Sequence, residues 1–239
     1  MNTAIVMGVG PDRGLGAQLC KRFATLDKHV FIGGRTQAKL DAVAADINAD
    51  GGKATAVVAD TTDEAAVIAL FDQAVAAGRL DAAIYNAGNN TPGPIVEMTA
   101  DYFTKSWQVC CFGGFLFGRE AMRQMQGTGG ALLFTGASAS LRGRAGFGAF
   151  NSSKAALRTL AQAMAKEGGK DGIHVGHVIV DGAIGGAKIQ ERYPEYAEKL
   201  GPEGLVSIEG IVDAFEYLYR QPKTAWSFEV DVRTAIENW

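Results

Sequence analysis

Few residues in this chain combine a type and a spacing that could do chemistry. The stretch AFNSSK, residues 149 to 154, ends in Lys154, whose ammonium could hold the hydroxyls of a ligand or meet a developing oxyanion. Ser138 offers a hydroxyl able to orient a substrate oxygen. Asp181 closes the apolar run HVGHVIVD and could act as acid or base where burial raises its pKa, or could cap a loop. Cys110 and Cys111 would need a base to become nucleophiles, and none of His29, His174 or His177 has an obvious route to them, so helix packing is expected for both. Tyr193 and Tyr196 could swing over a ligand or shape its pocket, and Arg142 and Arg144 could attract an acidic substrate or be solvated.

Positioning such groups takes a scaffold, and its pattern is repetitive. Apolar or β-branched runs (AIVMG, VFIGG, ATAVVAD, AAIYNAG, ALLFTGA, HVGHVIVDG and WSFEVDV) alternate with Ala- and Leu-rich segments of helical spacing. Parallel strands need right-handed crossovers, so the pattern predicts an α/β, doubly wound Rossmann-type parallel sheet of about seven strands with helices on both faces. Helices are expected near 14–26, 36–49, 63–78, 101–126, 150–168 and 207–220. Residues 185–205, with two glycines, a tyrosine-proline pair and Gly201-Pro202, are expected to form a mobile substrate-loop excursion over the carboxyl ends of the strands.

Composition narrows the partners. With 239 residues and 47% hydrophobic content the chain is expected to form one domain over 1–239. A net charge of −3, without a basic stripe, points to a small-molecule partner and away from nucleic acid or membrane. TAIVMG is too short to span a bilayer, and three cysteines fit neither a disulfide framework nor a zinc spacing, so no metal and a cytoplasmic location are expected.

GVGPDRGLG, residues 8 to 16, follows the first strand and opens the first helix, as a dinucleotide site requires. Gly10 is expected to take a conformation closed to other residues, Gly14 to let a pyrophosphate approach the main chain, and Gly16 to permit close helix packing. Taken with Asn86-Ala87-Gly88 after the fourth strand and with Lys154, this spacing resembles the short-chain dehydrogenase/reductase family across essentially the whole chain. The resemblance implies that Asp60, with Thr61 beside it, contacts an adenine, and that Asn86, Ala87 and Gly88 line the cofactor and stabilise the central sheet. It also implies a cofactor-contacting set completed by Leu15, Lys154, Gly182 and Ile184.

Charge bears on which cofactor. An NAD site places a carboxylate at the end of the second strand to accept from the ribose 2′-hydroxyl. Here HVFIGGRT ends in Gly33, Gly34 and Arg35, and Arg13 lies in the glycine loop. Two guanidinium groups near a 2′-phosphate favour NADP over NAD.

At the chemical end the chain departs from the family's pattern. Phe150 stands four residues before Lys154, where the family carries its proton-donating tyrosine; Ala137 takes the serine column, with Ser138 one residue later, and Cys110 takes the asparagine position. Asp181 and Gly182 replace the family's proline-glycine, and Gly186 replaces a threonine. A positioned general acid is worth about 10²- to 10⁴-fold, so its loss leaves hydride transfer slow rather than impossible. The resulting expectation is an NADP-dependent oxidoreductase acting on a carbonyl or alcohol, with Lys154, Ser138 and Asp181 as candidate catalytic groups. Phe147, Phe150 and Ile184 suggest an apolar substrate pocket. Alternatives are an NADP-binding protein without turnover, in a sensor or assembly role, and a non-redox enzyme. The family likeness implies a homodimer or homotetramer.

Overall fold

The computed structural model describes residues 1–237. The chain runs β1 (Asn2–Met7), α1 (Leu15–Thr25), β2 (Lys28–Gly34), α2 (Gln37–Ala49), β3 (Lys53–Val58), α3 (Glu64–Ala77) and β4 (Leu80–Tyr85). It continues through α4 (Ala100–Trp107), α5 (Gly113–Met125), β5 (Gly130–Ala137), α6 (Gly148–Gly168) and β6 (Ile173–Asp181). The last part comprises β7 (Ala183–Ile184), α7 (Ala187–Arg192), α8 (Pro194–Leu200), β8 (Leu205–Val206), α9 (Ile208–Arg220) and β9 (Glu229–Arg233).

Seven strands form one sheet in the order β3-β2-β1-β4-β5-β6-β9, every neighbouring pair parallel. Strand residues alternate between two apolar layers. Ala4 and Val6 of β1 pack with α1, α2 and α9, whereas Ile5 and Met7 pack with α3, α5 and α6. Phe23 and Phe215 anchor the first layer and Phe71, Phe117 and Phe134 the second, all fully buried. Each such side chain contributes about 1.5–3 kcal/mol of apolar burial, which is what holds both helix layers on the sheet.

Side-chain caps start three of the described helices. Asp63 accepts from the amides of Ala65 and Ala66 at the head of α3, Thr99 from Tyr102 at α4, and Ser207 from Gly210 at α9. The head of α1 differs, because its N-cap is Gly14, which has no side chain to satisfy the first amides.

One expectation about elements needs correction. The helix anticipated over 101–126 is broken: α4 and α5 are separated by a π-helical turn, Gln108–Phe112, in which Gly113 N bonds Gln108 O. Tyr85, on the neighbouring strand, donates its hydroxyl to Val109 O at 2.5 Å, giving a carbonyl in the widened turn a partner outside the helix. Residues 185–205, expected as an excursion over the strand ends, carry regular elements of their own. They hold α7 and α8, and the segment is tied at its base by a two-stranded parallel sheet pairing Ala183 with Leu205 and Ile184 with Val206. Among the described residues, no helix is long and apolar enough to cross a membrane.

Candidate active site

The strand order reverses between β1 and β4: from β1 the chain winds out to β2 and β3, from β4 to β5 and β6. Open parallel sheets bind ligands in the crevice outside the carboxyl ends of the strands at such a point. Here the crevice lies between the glycine loop after β1 and the Asn86-Ala87-Gly88 turn after β4. The two are locked together. Asn86 Nδ2 donates to Gly8 O at 3.3 Å while Asn86 Oδ1 accepts from Thr135 Oγ1 at 2.9 Å, so one carboxamide clips β1, β4 and β5 at their ends.

The residue with the special backbone is Gly8, not Gly10. Gly8 has φ +95°, and a Cβ on it would stand 2.4 Å from Ala87 N, whereas a Cβ on Gly10 would meet nothing within 4 Å. Gly10 therefore leaves room in the crevice instead of making the turn. Gly16 behaves as anticipated: a Cβ there would lie 3.0 Å from Gly8 O, so its absence lets α1, beginning at Leu15, approach the loop closely. Gly14 heads that helix and turns its uncapped amides and the positive end of its dipole to the crevice.

Arg13 and Arg35 are both exposed beside this opening, and neither forms a salt bridge among the described residues. Neither α1 nor α2 has an acid in its first turn. Asp60 accepts from Thr62 N and Thr62 Oγ1 through one oxygen. Burial pushes its carboxyl up, yet the hydrogen bonds from Thr62 and the charge of Arg35 outweigh this and hold it below the usual range. Thr61 beside it is buried, and its hydroxyl donates to Tyr85 Oη at 3.0 Å inside the protein.

The chemical end centres on Lys154. Its Nζ is buried, donates to Thr135 O at 2.8 Å, and lies 5.9 Å from the centroid of the Phe150 ring. Burial lowers the ammonium's pKa, Cys110 opposes that, and the charge of Lys188 adds to it. Gly88 sits against this amine; a Cβ on it would be 3.6 Å from Lys154 Nζ and 3.8 Å from Cys110 Sγ. Cys110 is fully buried in the π turn and donates weakly to Asn89 Oδ1 at 3.5 Å, while burial and then Cys110 push the Cys111 thiol up. Both cysteines thus pack inward, with Cys110 the one that reaches the site.

Asp181 is paired within the protein. At the end of β6 it is 2% exposed, and both its oxygens accept from Arg142 Nη2 at 2.9 Å. Arg142 is accordingly neither free nor merely solvated. Ser138 starts a 3₁₀ turn one residue beyond β5, its carbonyl accepting from Leu141 N and Arg142 N. Gly182 and Ile184 lie where the chain leaves β6 and enters β7. Tyr193 and Tyr196 are exposed at the junction of α7 and in α8.

Three groups escaped the sequence reading. Thr135 supplies both a carbonyl to Lys154 and a hydroxyl to Asn86, Tyr85 props the π turn, and Lys188 extends its charge to the Lys154 and Cys110 pair. None stands in a local motif, since each acts across strands or helices distant in sequence. Among the described residues no group of His, Cys, Asp and Glu is arranged to hold a metal.

Comparison with known proteins agrees with this geometry. Residues 2–193 match the family model described as short chain dehydrogenase. Over 190 residues the chain is 34% identical to the uncharacterized oxidoreductase YuxG of Bacillus subtilis, a match covering 77% of this chain and 28% of that protein. It is 32% identical over 183 residues to versicolorin reductase 1 of Dothistroma septosporum, covering 76% of this chain and 68% of that one. The crystal structure of a short-chain dehydrogenase from Rhodopseudomonas palustris superposes with a TM-score of 0.82 at 38% identity, covering 97% of this chain and 98% of the other. The chain belongs to the short-chain dehydrogenase/reductase family, with the nicotinamide-cofactor oxidoreductase fold of that family.

Proposed function

We propose that the protein is an NADP-dependent oxidoreductase that interconverts a carbonyl compound and its alcohol through an atypical active site. The observation that carries the cofactor choice is the pair Arg13 and Arg35, exposed beside the crevice without an acid in the first turn of α1 or α2. A 2′-phosphate there would gain charge-assisted hydrogen bonds, and no carboxylate stands in either first turn to repel it.

The crevice suits such a cofactor on three physical counts. Uncapped amides at the head of α1 suit a pyrophosphate, open space beside Gly10 admits it, and the buried amine of Lys154 suits ribose hydroxyls. In this reading Asp60 contacts the adenine, and Leu15, Ala87, Gly88, Gly182 and Ile184 line the remaining length. Reduced NADP, when bound, supplies a hydride. Lys154 holds the ligand and presents its positive charge to the oxygen that becomes negative. Ser138 orients that oxygen, and Asp181 fixes the Arg142 loop rather than moving a proton.

The joint replacement of tyrosine, serine and asparagine by Phe150, Ala137 and Cys110 favours a second reading, an NADP-binding protein without turnover. Calorimetry with NADPH and NADH, followed by stopped-flow detection of NADPH oxidation across a carbonyl library, tests both. Tighter NADPH binding, narrowed by about 1–3 kcal/mol per contact in Arg13→Ala or Arg35→Ala, is expected. Equal affinities would sink the cofactor choice, and NADPH binding without oxidation of any substrate would favour the second reading.

The same proposal includes a cytoplasmic homodimer or homotetramer acting on a small molecule. Phe103 and Trp107 of α4 and the nearby Ile95 and Val96 are exposed apolar residues, consistent with a subunit contact along α4–α6. Light scattering at several protein concentrations checks it.

A further inference from the structure

The segment that follows Gly88 is gripped by a row of donors. Tyr102, Ser106 and Cys110 stand four residues apart through α4 and into the π turn, and their side chains share one side of it. Tyr102 Oη donates to Thr91 O at 3.1 Å and accepts from Thr91 N at 3.2 Å. Ser106 Oγ donates to Asn89 Oδ1 at 2.9 Å, and Cys110 Sγ donates weakly to the same oxygen at 3.5 Å. Farther along, Gly93 N donates to Gly146 O at 2.7 Å and ties the segment to the loop before α6. Ser106 and Cys110 are fully buried, so the Asn89 carboxamide is fixed with its oxygen turned inward and both acceptor sites filled. Its nitrogen is left over. Nδ2 has no partner among the described residues and is not sealed from solvent, Asn89 being half-buried. Gly88, the preceding residue, is exposed, and a Cβ on it would lie 3.6 Å from Lys154 Nζ and 3.8 Å from Cys110 Sγ. The sulfur that touches the Asn89 carboxamide therefore also borders the open ground beside Lys154. At the position where the family's asparagine is replaced by Cys110, a carboxamide is still present, delivered from the turn after β4.

We propose that Asn89 binds the substrate oxygen, its Nδ2 donating to the negative charge that forms there; this rests on the reductase reading above. In the reduction the carbonyl carbon gains a C–H bond by taking a hydride, two electrons at the expense of NADPH. The π pair of the C=O bond passes to the oxygen, which takes a proton from water to complete the alcohol. A donor aimed at that oxygen acts most strongly when the charge is greatest, and one already locked in place needs no reorganisation as the charge appears. Locking is what separates Asn89 from its neighbours. Asn90 also carries an amide, but it is exposed and no hydrogen bond among the described residues fixes it. Lys154 Nζ already donates to Thr135 O, and Phe150 and Ala137 have no hydroxyl to offer. Since a carboxamide does not titrate, its contribution is the same at every pH at which the protein stays folded.

The test uses the whole protein as Asn89→Asp, Asn89→Ala, Ser106→Ala and the double variant Asn89→Ala/Ser106→Ala. Asn89→Asp exchanges the N–H donor for an oxygen at nearly equal size. Both Asn89 variants should lower kcat for reduction by about 10²- to 10³-fold, with NADPH affinity by calorimetry held within about threefold. The shape of the kcat profile against pH should not change in Asn89→Ala. Ser106→Ala keeps the amide but frees it to turn, and should cost about tenfold in kcat. In the Asn89→Ala background the same serine change should cost nothing further, and this cycle decides the matter should Asn89→Asp fail to fold. Independently of turnover, the side-chain amide signals of Asn89 in nitrogen-15 spectra, identified by their loss in Asn89→Ala, should shift when a reducible carbonyl from the library binds with NADP⁺, a pair that cannot react. An unchanged kcat in Asn89→Ala overturns the proposal, as do amide signals that stay in place. So does weakened NADPH binding with kcat intact, which would make Asn89 a cofactor contact, or a Ser106→Ala loss that persists in full when residue 89 is alanine. A parent protein that binds NADPH but reduces no carbonyl overturns the reductase reading and the proposal with it. Turnover in the parent that survives in both Asn89 variants overturns the proposal alone.

Discussion

Gly136 of β5 and His177 of β6 are matched in shape: a Cβ at position 136 would stand 2.3 Å from His177 Cε1. The imidazole lies over bare backbone, stacked on Phe228 with 8° between planes, and its Nδ1 is 3.0 Å from Glu229 Oε2. Gly136→Ala should therefore overpack the layer under the active site and cost about 1–3 kcal/mol. Thermal unfolding should show a melting temperature lower by several degrees; an unchanged value would mean that the ring moves aside freely.

Glu229 accepts three hydrogen bonds from two partners. It accepts from Arg158 Nε at 2.6 Å and Nη2 at 2.8 Å, and from His177. Burial pushes its carboxyl up, but Arg158 and then His177 outweigh that and bring it to about 2. Burial pushes His177 the other way, below the ordinary imidazole value, with Glu229 only partly offsetting it and the charges of Lys154 and Arg158 adding to it. Both groups bind fewer protons folded than unfolded within their windows, so both lose stability in acid. His177 contributes stability that is full above about pH 6.5 and fades below it; the Glu229 contribution is full above about pH 4.5 and fades toward pH 2. Melting temperature against pH should fall in two stages. Glu229→Gln should cost about 1–2 kcal/mol at neutral pH after allowing for its partial exposure, and nearly nothing near pH 2. A mutant curve parallel to the parent throughout would contradict this.

Arg142 and Asp181 form an ion pair whose members differ in burial, 40% and 2% side-chain exposure. Removing Arg142 strands a buried carboxylate, whereas removing the charge of Asp181 leaves a guanidinium that water can reach. Arg142→Ala should thus cost about 3 kcal/mol or more and Asp181→Asn about 1 kcal/mol, measured by urea unfolding. Equal costs would argue that the pair is solvated as a unit.

Phe150→Tyr restores a hydroxyl four residues before Lys154, beside an amine already 5.9 Å from the ring. Carbonyl reduction should begin or rise by up to about 10²-fold, and adding Ala137→Ser should raise it further. Activity unchanged across a broad carbonyl panel would show that pocket shape, not the absent hydroxyl, limits the rate.

These four cases also mark what the sequence discloses. Strand and helix positions were readable to within a few residues because apolar periodicity and caps such as Asp63 and Ser207 are local signals. The Gly14–Gly16 loop and Lys154 were readable because spacing alone carries them. The pairing of Asp181 with Arg142 was not readable because the two sit 39 residues apart and only folding brings them together. Gly8 was overlooked in favour of Gly10 because the crowding that selects it comes from Ala87, in the turn after β4 and far away in sequence.

The π turn at Gln108–Phe112 has a consequence for chain length. A π turn holds one residue more than the α-helical turn it replaces, so α4 and α5 are out of phase by about a third of a rotation relative to one continuous helix. Deleting a single residue, such as Val109, would let the two helices fuse with a perfect ladder of hydrogen bonds. It would also withdraw the carbonyl that Tyr85 holds and swing Cys110 away from Lys154. At this point the locally more regular helix belongs to the shorter chain, and the site belongs to the longer one.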